Sequence, residues 1–142
     1  MPNVRLLLNA KGKDIWFIAP DVLVYDALQM MAEKNVGALP VVEGDKVVGI
    51  FSERDYARKV VLHGKSSKSS PVREMMTSRI YCISPDDSID TCMQIMTNSK
   101  IRHLPVVEGK KLVGIVSIGD VVKKVISDHE FTIQELEKYI MS

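Results

Sequence analysis

The 142-residue sequence is poor in cysteine, having only Cys82 and Cys92, and the two build neither a C-x-x-C pair nor a readable disulfide framework. Both suit buried free thiols in a reducing compartment. Aromatic residues make up 6% of the chain, and no aromatic-basic stripe of the kind that grips nucleic acid is present. The formal net charge is +1, so no overall field favours nucleic acid or acidic lipid, and any anion site must be local. Apolar runs are short. None approaches the ~20 residues of a membrane span, and Val4 to Leu8 is too brief for a signal-peptide core. His-x-His, H-E-x-x-H, G-x-S-x-G and the Walker glycine loop are also missing. Without a nucleophile–base pair, a metal triad or paired carboxylates, the expectation is a soluble cytoplasmic protein that is not an enzyme, holds no metal and engages neither nucleic acid nor membrane.

What is present is a repeat. Shifted by 65 positions, the sequence matches itself without a gap at about 20 of roughly 47 places. Ile15 falls on Ile80, Pro20 on Pro85, Pro40 on Pro105, Gly49 on Gly114, Ser52 on Ser117 and Asp55 on Asp120. The longest shared block, Leu39 to Gly44, matches Leu104 to Gly109 and leads in each copy to Val-Gly-Ile.

Each copy reads as β-α-β-β-α. Ile15 to Ile18 and Ile80 to Ile83 are short β-rich runs stopped by Pro20 and Pro85. Asp21 in one copy, and Asp86 to Ser88 in the other, suit helix starts. The apolar steps Leu23, Ala27, Met30, Met31 and Ile89, Cys92, Met93, Met96 then predict amphipathic helices. Their methionines fill a core or line a soft groove. Hairpins follow over Ala38–Val42 with Val47–Phe51, and His103–Val107 with Leu112–Val116. Pro40 and Pro105 lack a ladder donor and are expected at strand starts or edges. Second helices are expected over Glu53 to Leu62 and Ile118 to Ser127.

Two such units of about 60 residues are marginal alone and should share a core. The predicted organisation is a first repeat over 11–63, a linker over 64–70, a second repeat over 71–128 and a last helix over 129–142. Pro71 opens a short helix through Met76. Thr132 with Glu135 forms a capping box for the last helix, with Phe131 stapling onto Leu136. Its face, Ile133, Leu136 and Ile140, either covers the module's own core or meets a second protomer.

Both hairpins end in Ser-x-x-Asp at a strand-to-helix junction: Ser52 with Asp55, Ser117 with Asp120. One reading is a capping box, worth about 1 kcal/mol. The other is a ligand site, since a helix N-terminus and a hydroxyl favour phosphate, and a carboxylate accepts ribose hydroxyls. The two readings are compatible.

Two gapless copies with Leu-Pro-Val-Val, Gly-Ile and Ser-x-x-Asp resemble the CBS (cystathionine-β-synthase-type) domain pair, or Bateman module, from about Lys11 to Ser127. The run from Ser52 to Lys59 is similar to small stand-alone members. The resemblance implies an α/β (α+β) fold of two βαββα repeats about a pseudo-twofold axis, plus a C-terminal helix. It also implies a regulatory cleft for an adenine nucleotide, AMP foremost, with ADP, ATP or NAD possible ligands and S-adenosylmethionine disfavoured.

In the first site, Ser52 and Asp55 would face Ile80, Tyr81 and Ile101, with Arg73, Arg102 and His103 over the phosphate. Arg54 and Arg58 are solvated charges or part of that clamp, and His103 is a half-buried strand residue or a phosphate contact. In the second site, Ser117 and Asp120 would face Ile15, Trp16 and Val36. Gly37-Ala38 there replaces Arg102-His103, leaving Lys11 and Lys13 to compensate. His63 and His129 are expected at the surface. The resemblance further implies a homodimer, or an unidentified protein partner, as the output. The competing reading is a ligand-free dimerisation module.

Overall fold

The computed structural model describes residues 2–12 and 14–141. Its elements are α1 (Val4–Lys11), α2 (Val24–Lys34), β1 (Ala38–Glu43), β2 (Lys46–Ser52), α3 (Glu53–Asp55) running into a π-helical segment (Tyr56–Val61), α4 (Val72–Met75), α5 (Ile89–Ser99), β3 (His103–Glu108), β4 (Lys111–Ser117) and α6 (Ile118–Met141). The expected mixed architecture is present: β1 pairs with β2, and β3 with β4, as two antiparallel hairpins. Their registers agree residue for residue across the repeat, from Ala38 opposite Ser52 and His103 opposite Ser117 to matching bulges after Val41 and Val106. Each copy has its own core. Leu39, Val41, Phe51 and Val60 anchor the first, and Leu104, Val106, Val116 and Val121 the second.

The expected first strands shrink to one bridge each, Ile18 with Val41 and Ile83 with Val106. Proline explains this. Ile18 donates to the Pro40 carbonyl and accepts from Val42, so the parallel ladder could grow towards Trp16 only with a bond from the Pro40 nitrogen, which carries no hydrogen. Pro105 ends the ladder beyond Ile83 in the same way. Both prolines therefore lie inside strands, buried, rather than at strand starts, and each faces the outer edge of its two-stranded sheet, the other placement expected. Their nitrogens face away from the hairpin partner.

One of the two helix starts differs from expectation. α2 begins at Val24, after Leu23, which offers no capping side chain. The supposed linker supplies the caps instead: Val24 and Tyr25 N–H donate to the Ser70 and Ser67 carbonyls, meeting orphan donors of the first turn. α5, by contrast, is capped by Ser88, whose hydroxyl accepts from Thr91 N–H at 3.1 Å.

Val4 to Leu8, read only as a short apolar run, belongs to α1, and Val4 and Leu7 are buried in the second repeat's core. α1 is the counterpart of α4. Val4 and Arg5 N–H donate to the Asp87 and Pro85 carbonyls, just as Val72 and Arg73 N–H donate to those of Val22 and Pro20. Each helix crosses a hairpin at a glycine. A Cβ on Gly49 would stand 2.7 Å from Met76 Sδ, and one on Gly114 2.6 Å from Leu8 Cδ2. So α4 completes the first repeat and α1 the second.

The expected C-terminal helix is present, but as the continuation of the second repeat's last helix: α6 runs unbroken across residues 128 and 129, because nothing between Asp128 and Thr132 breaks a helix. The Thr132 hydroxyl bonds back to the Asp128 carbonyl at 3.0 Å instead of capping a new start. Phe131, Ile133, Leu136 and Ile140 are all exposed, so this face does not cover the chain's own core. Both cysteines are free, but Cys82 is exposed rather than buried. Burial pushes the Cys92 thiol up to about 11. His63 and His129 are exposed. Among the described residues no helix is long and apolar enough to cross a membrane.

Candidate binding cleft

Ser52 ends β2 and opens α3. Its hydroxyl accepts from Asp55 N–H at 3.2 Å, while Asp55 Oδ2 accepts from Ser52 N–H at 3.0 Å, a complete capping box. The same oxygen accepts the Ser52 hydroxyl at 3.0 Å. Asp55 Oδ1 accepts Thr77 Oγ1–H at 2.9 Å and pairs with Lys59 Nζ at 3.1 Å. An ionised carboxylate has about four acceptor positions, and all of them are met. Any further donor reaching Asp55 must displace one of these partners, among which the Lys59 side chain is 41% exposed.

A cavity of about 490 Å³ opens in front of this box. It gathers nine of the expected residues: Ser52, Arg54, Asp55 and Arg58 from the first copy, and Ile80, Tyr81, Ile101, Arg102 and His103 from the second. Sequence reasoning missed Lys59, Thr77, Arg79 and Lys100, which also line it. The π-helical segment, closed by Leu62 N–H donating five residues back to Ala57, carries Arg58 and Lys59. Such segments recur at functional sites. Six cations (Arg54, Arg58, Lys59, Arg79, Lys100 and Arg102) thus share the wall with two carboxylates, those of Glu53 and Asp55. A chain of formal charge +1 concentrates its positive side chains here.

Arg73 is not among the lining residues. It sits exposed on α4, and its backbone is held by the Pro20 carbonyl. Position by position, Arg73 corresponds to Arg5 and Arg79 to Lys11, because the match of α4 to α1 runs at 68 residues rather than 65.

The second Ser-x-x-Asp is formed but occupied by the chain itself. Ser117 and Asp120 bond each other as in the first copy, and Lys11 Nζ reaches Asp120 Oδ2 at 2.7 Å and the Ile115 carbonyl at 2.8 Å. Burial raises the Asp120 carboxyl, but Lys11 and Ser117 overcome this and hold it below the ordinary 3.8. Lys13 lies outside the described residues. Trp16 stacks under Lys34 Nζ, 4.1 Å from the ring centroid. Val36 and Gly37 line a separate groove with Glu53 and Tyr56.

His103 lies between the two sites. A Cβ on Gly37 would stand 3.9 Å from its Nε2 and 3.6 Å from Glu53 Oε1. Burial, with Lys11 and then Arg102 adding positive potential, lowers its pKa from 6.5 against the pull of Asp120. Among the described residues, neither Arg102 nor Arg73 ion-pairs with an acidic side chain, and no cluster of three His, Cys, Asp or Glu could hold a metal.

The two hairpins and their paired capping boxes have the layout of a known family, whose CBS domain model matches residues 12–62 and again 72–127. The chain belongs to the CBS-domain family. This CBS pair is 42% identical over 137 residues to the CBS domain-containing protein CBSX3, mitochondrial, of Arabidopsis thaliana, covering 93% of this chain and 66% of that protein. It therefore spans just under two thirds of that relative. Among solved structures, a putative signal-transduction protein with CBS domains from Burkholderia ambifaria superposes with a TM-score of 0.84 at 50% identity, covering 89% of this chain and 95% of the other. The fold is also that of the CBS domain pair of protein MJ0100 in complex with 5′-methylthioadenosine and S-adenosylmethionine. That pair has a TM-score of 0.79 and 23% identity, over 90% and 98% of the two chains.

Proposed function

We propose that this CBS pair is a regulatory module that senses an adenine nucleotide in its first cleft, AMP foremost, with ADP, ATP or NAD as the other candidates. It performs no catalysis, and its output is a change of conformation or of assembly as a cytoplasmic homodimer. The observation that carries this reading is the charge of the cleft. Six cationic side chains line one cavity against two carboxylates, with Arg102 unpaired to any acid among the described residues, and this local excess of positive charge favours an anion. Ser52 and Asp55 sit at one wall where ribose can reach them, Ile80, Tyr81 and Ile101 offer an apolar bed for a base, and Arg54, Arg58 and Arg102 supply a phosphate clamp. A distant pair of the same fold accommodates methylthioadenosine and S-adenosylmethionine. Here the sulfonium of the latter would meet like charge, whereas a phosphate would not.

Ligand binding biases whichever conformation offers it more contacts. Lys59 is the natural moving part, exchanging Asp55 for phosphate as the ribose takes its place. The competing reading, a ligand-free dimerisation module, draws on the complete capping box around Asp55. A thermal-shift series with AMP, ADP, ATP, NAD(H) and S-adenosylmethionine separates the two. A ligand at 100 times its Kd adds about 2.7 kcal/mol, a rise of roughly 5 to 15 °C for a domain of this size. No rise with any of them at millimolar concentration would transfer the assignment to the dimerisation module.

A further inference from the structure

We infer that the C-terminal half of α6 docks, antiparallel, onto the same helix of a second copy of this chain. This rests on the reading of the chain as a homodimer and names the surface and orientation that reading leaves open.

α6 is 24 residues long, about 36 Å at 1.5 Å per residue. From His129 to Ile140 every residue is exposed, so its last three turns stand clear of the fold. Helical stability in proteins comes mostly from the packing of an amphipathic face, and over these turns that face is open to solvent. Val122, Ile126, Ile133, Leu136 and Ile140 recur at heptad spacing, with His129 completing the seam, and Ile133 and Ile140 are 54% and 78% exposed. The stripe is continuous with an apolar groove of about 210 Å³ between α5 and α6, which Met93, Ile118, Val122 and Ile126 help to line.

Charge selects the occupant and its direction. Beyond Lys124 the helix carries Asp128, Glu130, Glu135 and Glu137 against the single cation Lys138. A membrane surface would want lysine or arginine on the polar face. Lys123 and Lys124 lie in the other half of the same helix, and Lys124 already pairs with Asp128 at 3.0 Å. Among the described residues Lys123 and Glu137 have no ion-pair partner, and both flank the seam on one side, 14 positions apart. In a parallel pair the same flank of the two helices lies on opposite sides of the seam, so Lys123 of one copy could not reach Glu137 of the other. In an antiparallel pair centred near residue 130, Lys123 of each copy falls beside Glu137 of the other.

The test is sedimentation equilibrium of the full chain. Wild type should dimerise at micromolar concentration, and Leu136→Glu and Ile140→Glu should each weaken the dimer tenfold or more. Both should leave the thermal midpoint of the monomeric module and its nucleotide response in place. Lys123→Glu alone and Glu137→Lys alone should each weaken association severalfold, and the double swap should restore it. A wild-type chain that stays monomeric at 100 µM would overturn the dimer itself. A dimer unmoved by Leu136→Glu and Ile140→Glu would overturn this surface while leaving the dimer standing. A double swap no tighter than its singles would overturn the antiparallel orientation.

Discussion

Lys11 Nζ lies 2.7 Å from Asp120 Oδ2, whereas the corresponding acid of the first repeat, Asp55, is met at 3.1 Å by Lys59 from its own helix. One lysine arrives from α1, on the far side of the sequence, and the other from the next turn. The two Ser-x-x-Asp boxes are therefore alike in their caps and unlike in what must move to open them.

The Asp120 pair fixes a pH dependence. The folded carboxyl is held below its ordinary 3.8, so it contributes stability above that value and loses it as pH falls through the lower folded pKa. Lys11→Met leaves burial and the Ser117 bonds behind. The Asp120 pKa should then rise, a shift readable by carboxylate carbon NMR. An unchanged titration would mean that Lys11 does not hold the carboxyl in solution.

Asp55→Ala should weaken AMP by about 10- to 100-fold, the worth of a hydrogen bond to a charged group. It should also abolish the preference for AMP over its 2′-deoxy counterpart. Calorimetry on both ligands checks this, and a preserved preference would remove the ribose assignment. Ser52→Ala should cost about 1 kcal/mol of stability through the cap.

Arg102→Ala should weaken AMP far more than adenosine, because its guanidinium meets the phosphate rather than the base. Equal losses for the two ligands would show that Arg102 does not read phosphate.

His103 carries a lowered folded pKa. Its neutral form contributes stability that is present above pH 6.5 and lost as pH falls through the folded value. An anionic phosphate in the cleft should draw that pKa back up. Binding between about pH 5.5 and 7 should then take up protons, seen as heats of binding that differ between buffers of different ionisation enthalpy. Buffer-independent heats would place the phosphate away from His103.

Gly49→Ala should destabilise the chain by about 1–3 kcal/mol, as overpacking does. The added methyl meets the Thr77 carbonyl at 2.8 Å, and backbone yields less readily than a side chain. Urea unfolding would measure the loss.

The hairpins, the capping boxes and nine lining residues could be read from the sequence because they sit inside a gapless register of 65. Arg79 and α1 could not, since the register changes to 68 upstream of Ile80, where Asn3-Val4-Arg5 matches Pro71-Val72-Arg73. That shared Val-Arg pair was the available signal. The lost first strands follow from Pro40 and Pro105, visible residues whose effect depends on which way their nitrogens face. Continuity of α6 was hidden by a plausible cap at Thr132, whose hydroxyl turns to the preceding carbonyl instead.

The crossing of α1 and α4 reaches beyond the cleft. Val4 is sealed among residues some eighty positions away, while the helix in the middle of the chain seals the beginning. Each half thus wears the other half's arm, an exchange within one molecule of the kind that usually links two. Severing the chain at 64–70 should yield no autonomous piece, because the downstream fragment would lack the helix that covers β4. Closing such distant contacts also makes folding slower than two small hairpins would suggest, and ties the assembly of both halves into one event.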